Sequence, residues 1–313
     1  MMTGKVVALS GGIGGAKLAL GLDRVLAPGQ LTIVANTGDD FRHLGLAISP
    51  DIDTLLYTLG GLDDPVRGWG RRDETWTFMQ ALAQIGGENW FLLGDGDLAL
   101  HVERTRRLTA GETLSEVTDA LRQRLAIASA IVPMSDDRVA TRVDTDEGWL
   151  DFQHYFVRRR CEPRVRALEF AGAETALLAP GAAAALADPA LAAIIICPSN
   201  PYLSVDPILA VPGLRQALRA ARAPVIAISP IIAGQAVKGP TAKMMAELGL
   251  VPSAATVAQH YAGLIDAFVI DEADAVASVD GEVAIATAPI LMRSLEDKTR
   301  LARFVLDVAE RLA

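Results

Sequence analysis

The run Lys5–Ser10 is apolar and ends directly in Gly11-Gly12-Ile13-Gly14-Gly15. An amphipathic stretch, Ala16 to Leu26, and a second apolar run, Leu31–Ala35, follow. Strand, glycine turn, helix and strand in this order predict a βαβ unit and a parallel sheet. Glycines let the backbone turn tightly beside a ligand, and the helix behind them offers free N–H groups to an anion. Hydrophobic residues make up 51% of the 313 residues and charged residues 21%, enough to bury a large core.

Further buried-strand candidates are Ala193–Cys197, Val225–Ser229 and Ala267–Ile270. Helical periodicity covers Gly213–Ala221, Ala242–Leu248, Val257–Ile265 and Leu295–Leu312. In the middle of the chain, Asp73–Ile85 and Thr113–Ile127 read as helices, and Val139–Val157 as a hairpin around Asp144–Gly148. The expected fold is α/β, a Rossmann-like doubly wound, mostly parallel sheet with an inserted, mainly helical subdomain. Residues 1–60 and 166–313 would form the nucleotide-binding core, and residues 61–165 the insertion with its β-hairpin.

The formal charge of −9 argues against general nucleic-acid binding. Cys161 and Cys197 form no CxxC or Cys/His cluster, so a thiolate zinc site and a disulfide scaffold are not expected. The start lacks a signal-peptide pattern, and the longest apolar candidate, Ala176 to Ile196, is broken by Pro180, Asp188 and Pro189. The expectation is a cytoplasmic protein with no membrane partner.

Acidic residues concentrate in Asn36-Thr37-Gly38-Asp39-Asp40 and Ser49-Pro50-Asp51-Ile52-Asp53-Thr54. Pro50 suits the first turn of a helix capped by Ser49, where Asp51 would complement the helix dipole. Asp53 lies about 200° around that helix from Asp51, so one face cannot hold both. Carboxylates in loops beside a phosphate-binding turn suggest Mg²⁺, which takes one or two carboxylates plus substrate phosphates and water. In Trp69-Gly70-Arg71-Arg72-Asp73-Glu74-Thr75-Trp76, the two arginines between tryptophans suit an anion clamp or a flat ring, and equally a solvated helix start.

Other polar stretches say less on their own. Gly94-Asp95-Gly96-Asp97 reads as an acidic turn, with His101 beyond it as a surface or capping residue. His43, beside Asp39 and Asp40, is a minor candidate proton carrier. Pro198-Ser199-Asn200-Pro201 lies where ligand loops sit in such folds, after a buried strand. Ser229-Pro230-Ile231-Ile232 leads to Lys238-Gly239-Pro240 and Lys243, which read as solvated lysines, and Met134–Arg138 reads as a structural turn. No GxSxG nucleophile elbow and no Walker A box occur.

Taken in order, the glycine turn, Asn36–Asp40, Ser49–Thr54, Arg67–Trp76, Pro133–Asp137, Pro198–Pro201 and Ser229–Ile232 resemble the 2-phospho-L-lactate transferase family, which builds the deazaflavin coenzyme F-420. The similarity runs from residue 5 to at least 275 and is nearest to the bacterial branch, through the Trp/Arg segment. The resemblance implies a Rossmann-like core with an insertion, a homodimer, and Mg²⁺ as cofactor. It implies transfer of a phospho-acid unit (phospholactate, phosphoenolpyruvate or phosphoglycerate) from a guanosine diphosphate donor to the terminal ribityl hydroxyl of the deazaflavin Fo, with release of GMP. The deazaflavin contact maps onto Asp51 and Asp53. The nucleotide contacts map onto Gly11, Gly12, Gly14, Gly15, Ser199 and Asn200.

With that chemistry, Asp40 and Asp53 would hold Mg²⁺, and Asp51 or Asp53 would take the hydroxyl proton. Asn36 and Asp39 would contact substrate, and Arg71 or Arg72 would hold the acid carboxylate. Gly96 stands where related sequences commonly carry Arg, which leaves the donor acid open. Two other classes compete. A regulatory module could hold a nucleotide-sugar or dinucleotide without turnover. An NAD-dependent oxidoreductase would use Asp39 or Asp40 on a ribose.

Overall fold

The computed structural model describes residues 2–237, 239–274 and 283–313. Lys238, named above with the loop lysines, lies outside them. Seven strands form the central sheet: β1 Lys5–Ser10, β2 Leu31–Ala35, β3 Ala130–Pro133, β4 Leu191–Ile196, β5 Val225–Ile228, β6 Ala267–Ile270 and β7 Ala284–Thr287. Their order is β7-β6-β5-β4-β1-β2-β3, and every neighbouring pair is parallel. The architecture is the expected Rossmann-like α/β sheet.

Alternate residues of each strand enter opposite cores. Val6 and Ala8 pack on one face with helices Gly12–Val25, Pro50–Leu59 and Leu295–Leu312. Val7 and Leu9 pack on the other with helices Pro180–Leu186, Asp206–Ala210 and Ala254–His260. Burial on both faces explains why the strands read as unbroken apolar runs rather than alternating ones. From β1 the chain winds outward to β2 and β3, and from β4 it winds the other way. The crevice between the carboxyl ends of β1 and β4 is therefore the topological switch point, where open α/β sheets bind ligands.

Three expectations need correction. Residues 130–133, read as part of the inserted segment, pair with β2 as the edge strand of the central sheet. A four-residue run carries too little periodicity to reveal its partner. Residues 95–109, whose start reads as an acidic turn, form a helix, Asp95–Thr109. Gly96 and the charged surface weaken its helical signal. The hairpin Ala140–Thr145/Gly148–Asp151 forms, but it gains a third strand, Val165–Ala171, and the chain leaves it through a wide helical turn, His154–Arg158. Among the described residues no helix is long and apolar enough to cross a membrane.

Candidate active site

A cavity of about 930 Å³ opens at the switch point. Its floor is the turn after β1. Gly12 adopts φ +62°, a backbone geometry that glycine takes without strain. At Gly14 a Cβ would stand 2.4 Å from the Pro198 carbonyl oxygen, so only glycine lets the two loops close on each other. Ser199 joins them: its hydroxyl donates to the Gly11 carbonyl (2.7 Å) and accepts from the Gly11 N–H (3.2 Å). Gly11, Gly12, Gly14, Ser199 and Asn200 line the cavity, whereas Gly15 is buried behind the turn against Ser10 and Ser199. Asn200 uses its Oδ1 to cap the following turn, accepting from Tyr202 and Leu203, while its buried Nδ2 has no partner among the described residues.

Helix Pro50–Leu59 supplies the acids. Ser49 occupies its N-cap position, but the hydroxyl donates to Asp40 (2.7 Å) instead of capping the helix. Asp51 and Asp53 point apart, as their spacing requires. Asp51 accepts from the Gly12 N–H (2.7 Å) and from Asn36 Nδ2 (2.9 Å). Burial, against these two hydrogen bonds, pushes its carboxyl up to about 6. Asn36, fully buried and off the cavity wall, thus holds Asp51 in place. Asp39 lines the cavity with a buried Oδ1 that has no partner among the described residues. Burial and the neighbouring Asp51 carboxylate raise its pKa well above the ordinary value. Asp40 is also raised by burial, but it stands behind the wall.

Asp53 faces helix Asp95–Thr109. Both its oxygens accept from the Arg104 guanidinium, Oδ2 at 3.1 Å, and Arg104 is fully buried. Burial disfavours the Arg104 charge, but Asp53, followed by Asp40, outweighs it and raises its pKa above the ordinary value. His101 Nδ1 lies 3.6 Å from Asp53 and its Nε2 3.5 Å from Asp97, which accepts from the Tyr57 hydroxyl. His101 is 2% exposed, so it is neither the surface nor the capping residue that the sequence suggests. Sequence reasoning missed Arg104 and Tyr57 altogether. The available signal was spacing: Asp97, His101 and Arg104 share one helical face, as do Asp53 and Tyr57.

The Trp/Arg segment is built differently from the expected clamp. Arg71 donates to the Gly96 carbonyl (3.4 Å) and Arg72 to the Gly61 carbonyl, and neither lines the cavity. It is Arg67 that stacks between Trp69 and Trp76. Glu74 caps helix Asp95–Thr109 through the N–H groups of Gly96 and Asp97 (both 2.8 Å), and Asp95 caps helix Thr77–Gln84 in return. These carboxylates fill the helix ends that an anion would have used.

Trp69, Trp90, Phe91 and Phe152 form an apolar wall. Trp90 is fixed by the ring of His154 at 4.7 Å and by His43 edge-on at 5.1 Å, so His43 serves packing away from the acids. Ser229 reaches the cavity, whereas Lys243 pairs with Glu247 (2.6 Å). Asp136 and Asp137 accept from the backbone of Ser115 and Leu177, a structural turn as expected.

The chain matches the family model of 2-phospho-L-lactate transferase CofD over residues 6–288. It is 43% identical over 318 residues to a phosphoenolpyruvate transferase of Kitasatospora aureofaciens, covering 98% of each chain. It is 40% identical over 330 residues to one of Mycobacterium tuberculosis, covering 97% of this chain and 98% of the relative. A crystal structure of a UPF0052-family protein from Bacillus halodurans shares the fold with a TM-score of 0.62 at 14% identity, over 98% of this chain and 99% of that one. A doubly wound sheet, a glycine turn meeting buried acids at its switch point, and these full-length matches agree: the chain belongs to the 2-phospho-L-lactate transferase CofD family and is a transferase.

Proposed function

We propose that this enzyme transfers a phospho-acid unit, phosphoenolpyruvate as in the names of its relatives, from a guanosine diphosphate donor to the ribityl hydroxyl of the deazaflavin Fo, in coenzyme F-420 biosynthesis. The hydroxyl oxygen bonds to the phosphorus that carries the acid. The bond from that phosphorus to GMP breaks, the hydroxyl proton goes to a base, and GMP leaves. The observation that carries the reading is a single cavity joining the glycine turn, the acids and the aromatic wall. The turn's N–H groups beyond those of Gly11 and Gly12, which Ser199 and Asp51 take, suit phosphate oxygens, the Asn200 Nδ2, unpartnered among the described residues, suits an acceptor on the nucleotide, and the aromatic wall suits a flat tricyclic ring. Asp51, held by Gly12 and Asn36, is the residue proposed to take the proton.

The residues present fit Mg²⁺ with one revision of the expected ligands. Asp53 has both oxygens committed to Arg104, and Asp40 does not line the cavity. Asp39, with a buried and unpartnered oxygen on the wall, would hold the ion together with donor phosphates and water. When bound, the ion would neutralise the diphosphate. Among the described residues no group of three or more His, Cys, Asp or Glu stands together as a metal site.

Incubating the protein with Fo, Mg²⁺ and each of the three guanosine donors, with mass spectrometry of the products, tests the reading. The expected result is GMP and a phosphodiester of Fo, most abundant with the phosphoenolpyruvate donor. No GMP from any donor would refute it.

A further inference from the structure

The cavity wall is rich in acid, with Asp39, Asp51, Asp53 and Asp97 all on it. Among the described residues its lysines and arginines are Lys17, Arg158 and Arg160. Lys17 donates to the Met292 carbonyl (3.0 Å). Arg158 and Arg160 are exposed at the mouth, and among the described residues neither pairs with an acid. Arg159, between them, faces away and is held by both oxygens of Glu147, one at 2.6 Å.

The backbone creates this alternation. The wide turn His154–Arg158 closes with the Arg159 N–H on the His154 carbonyl (2.8 Å), and the Cys161 N–H bonds the Tyr155 carbonyl (2.9 Å). Arg160 and Cys161 then adopt φ +51° and +58°, a left-handed geometry that side chains other than glycine rarely take. The turn is anchored by the fully buried Tyr155 and by Gln153, whose amide donates to the Asp39 carbonyl (3.3 Å). The arginines are thus tied to the acidic loop. Arg158 also lies 5.9 Å from the centre of the Trp90 ring, on the aromatic wall.

We propose that Arg158 and Arg160 bind the carboxylate of the transferred phospho-acid. The inference rests on the donor reading above. Such a donor carries a diphosphate and a carboxylate. The diphosphate has the glycine turn and the Asp39 site, and the carboxylate would be repelled by the acids beside them. It needs guanidinium groups, whose planar donors match a carboxylate. Arg71 and Arg72 are turned to carbonyls elsewhere, and the unpaired arginines of the wall are this pair.

The test compares calorimetric binding of GDP and of guanosine-diphosphate-linked phosphoenolpyruvate, with Mg²⁺, to the wild type, R158Q/R160Q and R159Q. In the wild type the donor should bind roughly 10- to 100-fold tighter than GDP. R158Q/R160Q should lose that advantage while GDP binds as before, and R159Q should retain it. Equal donor and GDP affinities in the wild type, an undiminished advantage in R158Q/R160Q, or equal weakening of both ligands would each overturn the carboxylate site. If the wild type binds neither GDP nor donor, the donor reading itself fails, and the inference with it.

Discussion

Replacing Arg104 by Met probes the device that allows the site to hold its acids. Arg104 has no exposed surface, and its guanidinium spans both oxygens of Asp53, itself 5% exposed. Methionine fills similar space without charge, so Asp53 would be left as an uncompensated buried anion near Asp40. Breaking a buried ion pair from one side costs about 3–5 kcal/mol. With an unfolding entropy of about 2.1 cal/mol/K per residue, a chain of this length has roughly 0.66 kcal/mol/K, so Tm should fall by about 5–8 °C. Removing both charges in D53N/R104M should recover part of the loss, with an interaction energy on the order of 2 kcal/mol. Thermal unfolding followed by far-ultraviolet circular dichroism of the wild type, both single variants and the double variant reads these values. If R104M melts within about 1 °C of the wild type, or the double variant shows simply the sum of the single effects, the pair is not the buried electrostatic unit described here.

Other outcomes follow from the same geometry. Asp39→Asn should raise the Mg²⁺ concentration for half-maximal rate by on the order of 100-fold, and an unchanged Mg²⁺ titration would remove Asp39 as a ligand. Gly14→Ala places a Cβ 2.4 Å from the Pro198 carbonyl, and the resulting shift of the turn should lower kcat/KM by roughly 100-fold in steady-state assays. Asp297 accepts from the N–H groups of Ser294 and Arg293, and these bonds hold its carboxyl below the ordinary range. A depressed folded pKa contributes stability above the unfolded value, about 3.9, that is lost as pH falls through the folded one. Asp297→Asn should therefore flatten part of the acid limb of stability between about pH 4 and the lower folded value, measured by urea unfolding against pH.

The chemistry of the cavity follows from a division between two sides of one short helix. Asp51 and Asp53 are two positions apart, and the helical twist sends one to the glycine turn and the other to Arg104. The first lines the cavity, accepting from neutral N–H donors, and keeps its charge uncancelled by any cation among the described residues. The second is neutralised by the protein itself, so four acids can share one region without all repelling the diphosphate.

The βαβ opening, the acidic loops and the order of the polar motifs are local patterns, and local patterns are what a sequence displays. The glycine turn, Asp39, Ser199 and Asn200 were legible because loops after parallel strands converge at one edge of the sheet in any such fold, and Asp51 because Ser49 and Pro50 mark the start of its helix. The residues behind the wall were not. Asp97, His101 and Arg104 share a helical face by spacing alone, but nothing in spacing says that the face is buried, or that Asp53, 51 positions away from Arg104, is what it meets. Likewise Arg71 and Arg72 looked available, and backbone carbonyls at Gly96 and Gly61 took them. Periodicity specifies which side chains travel together; only the packing of distant segments specifies which charges are paid for inside the protein and which remain for a ligand.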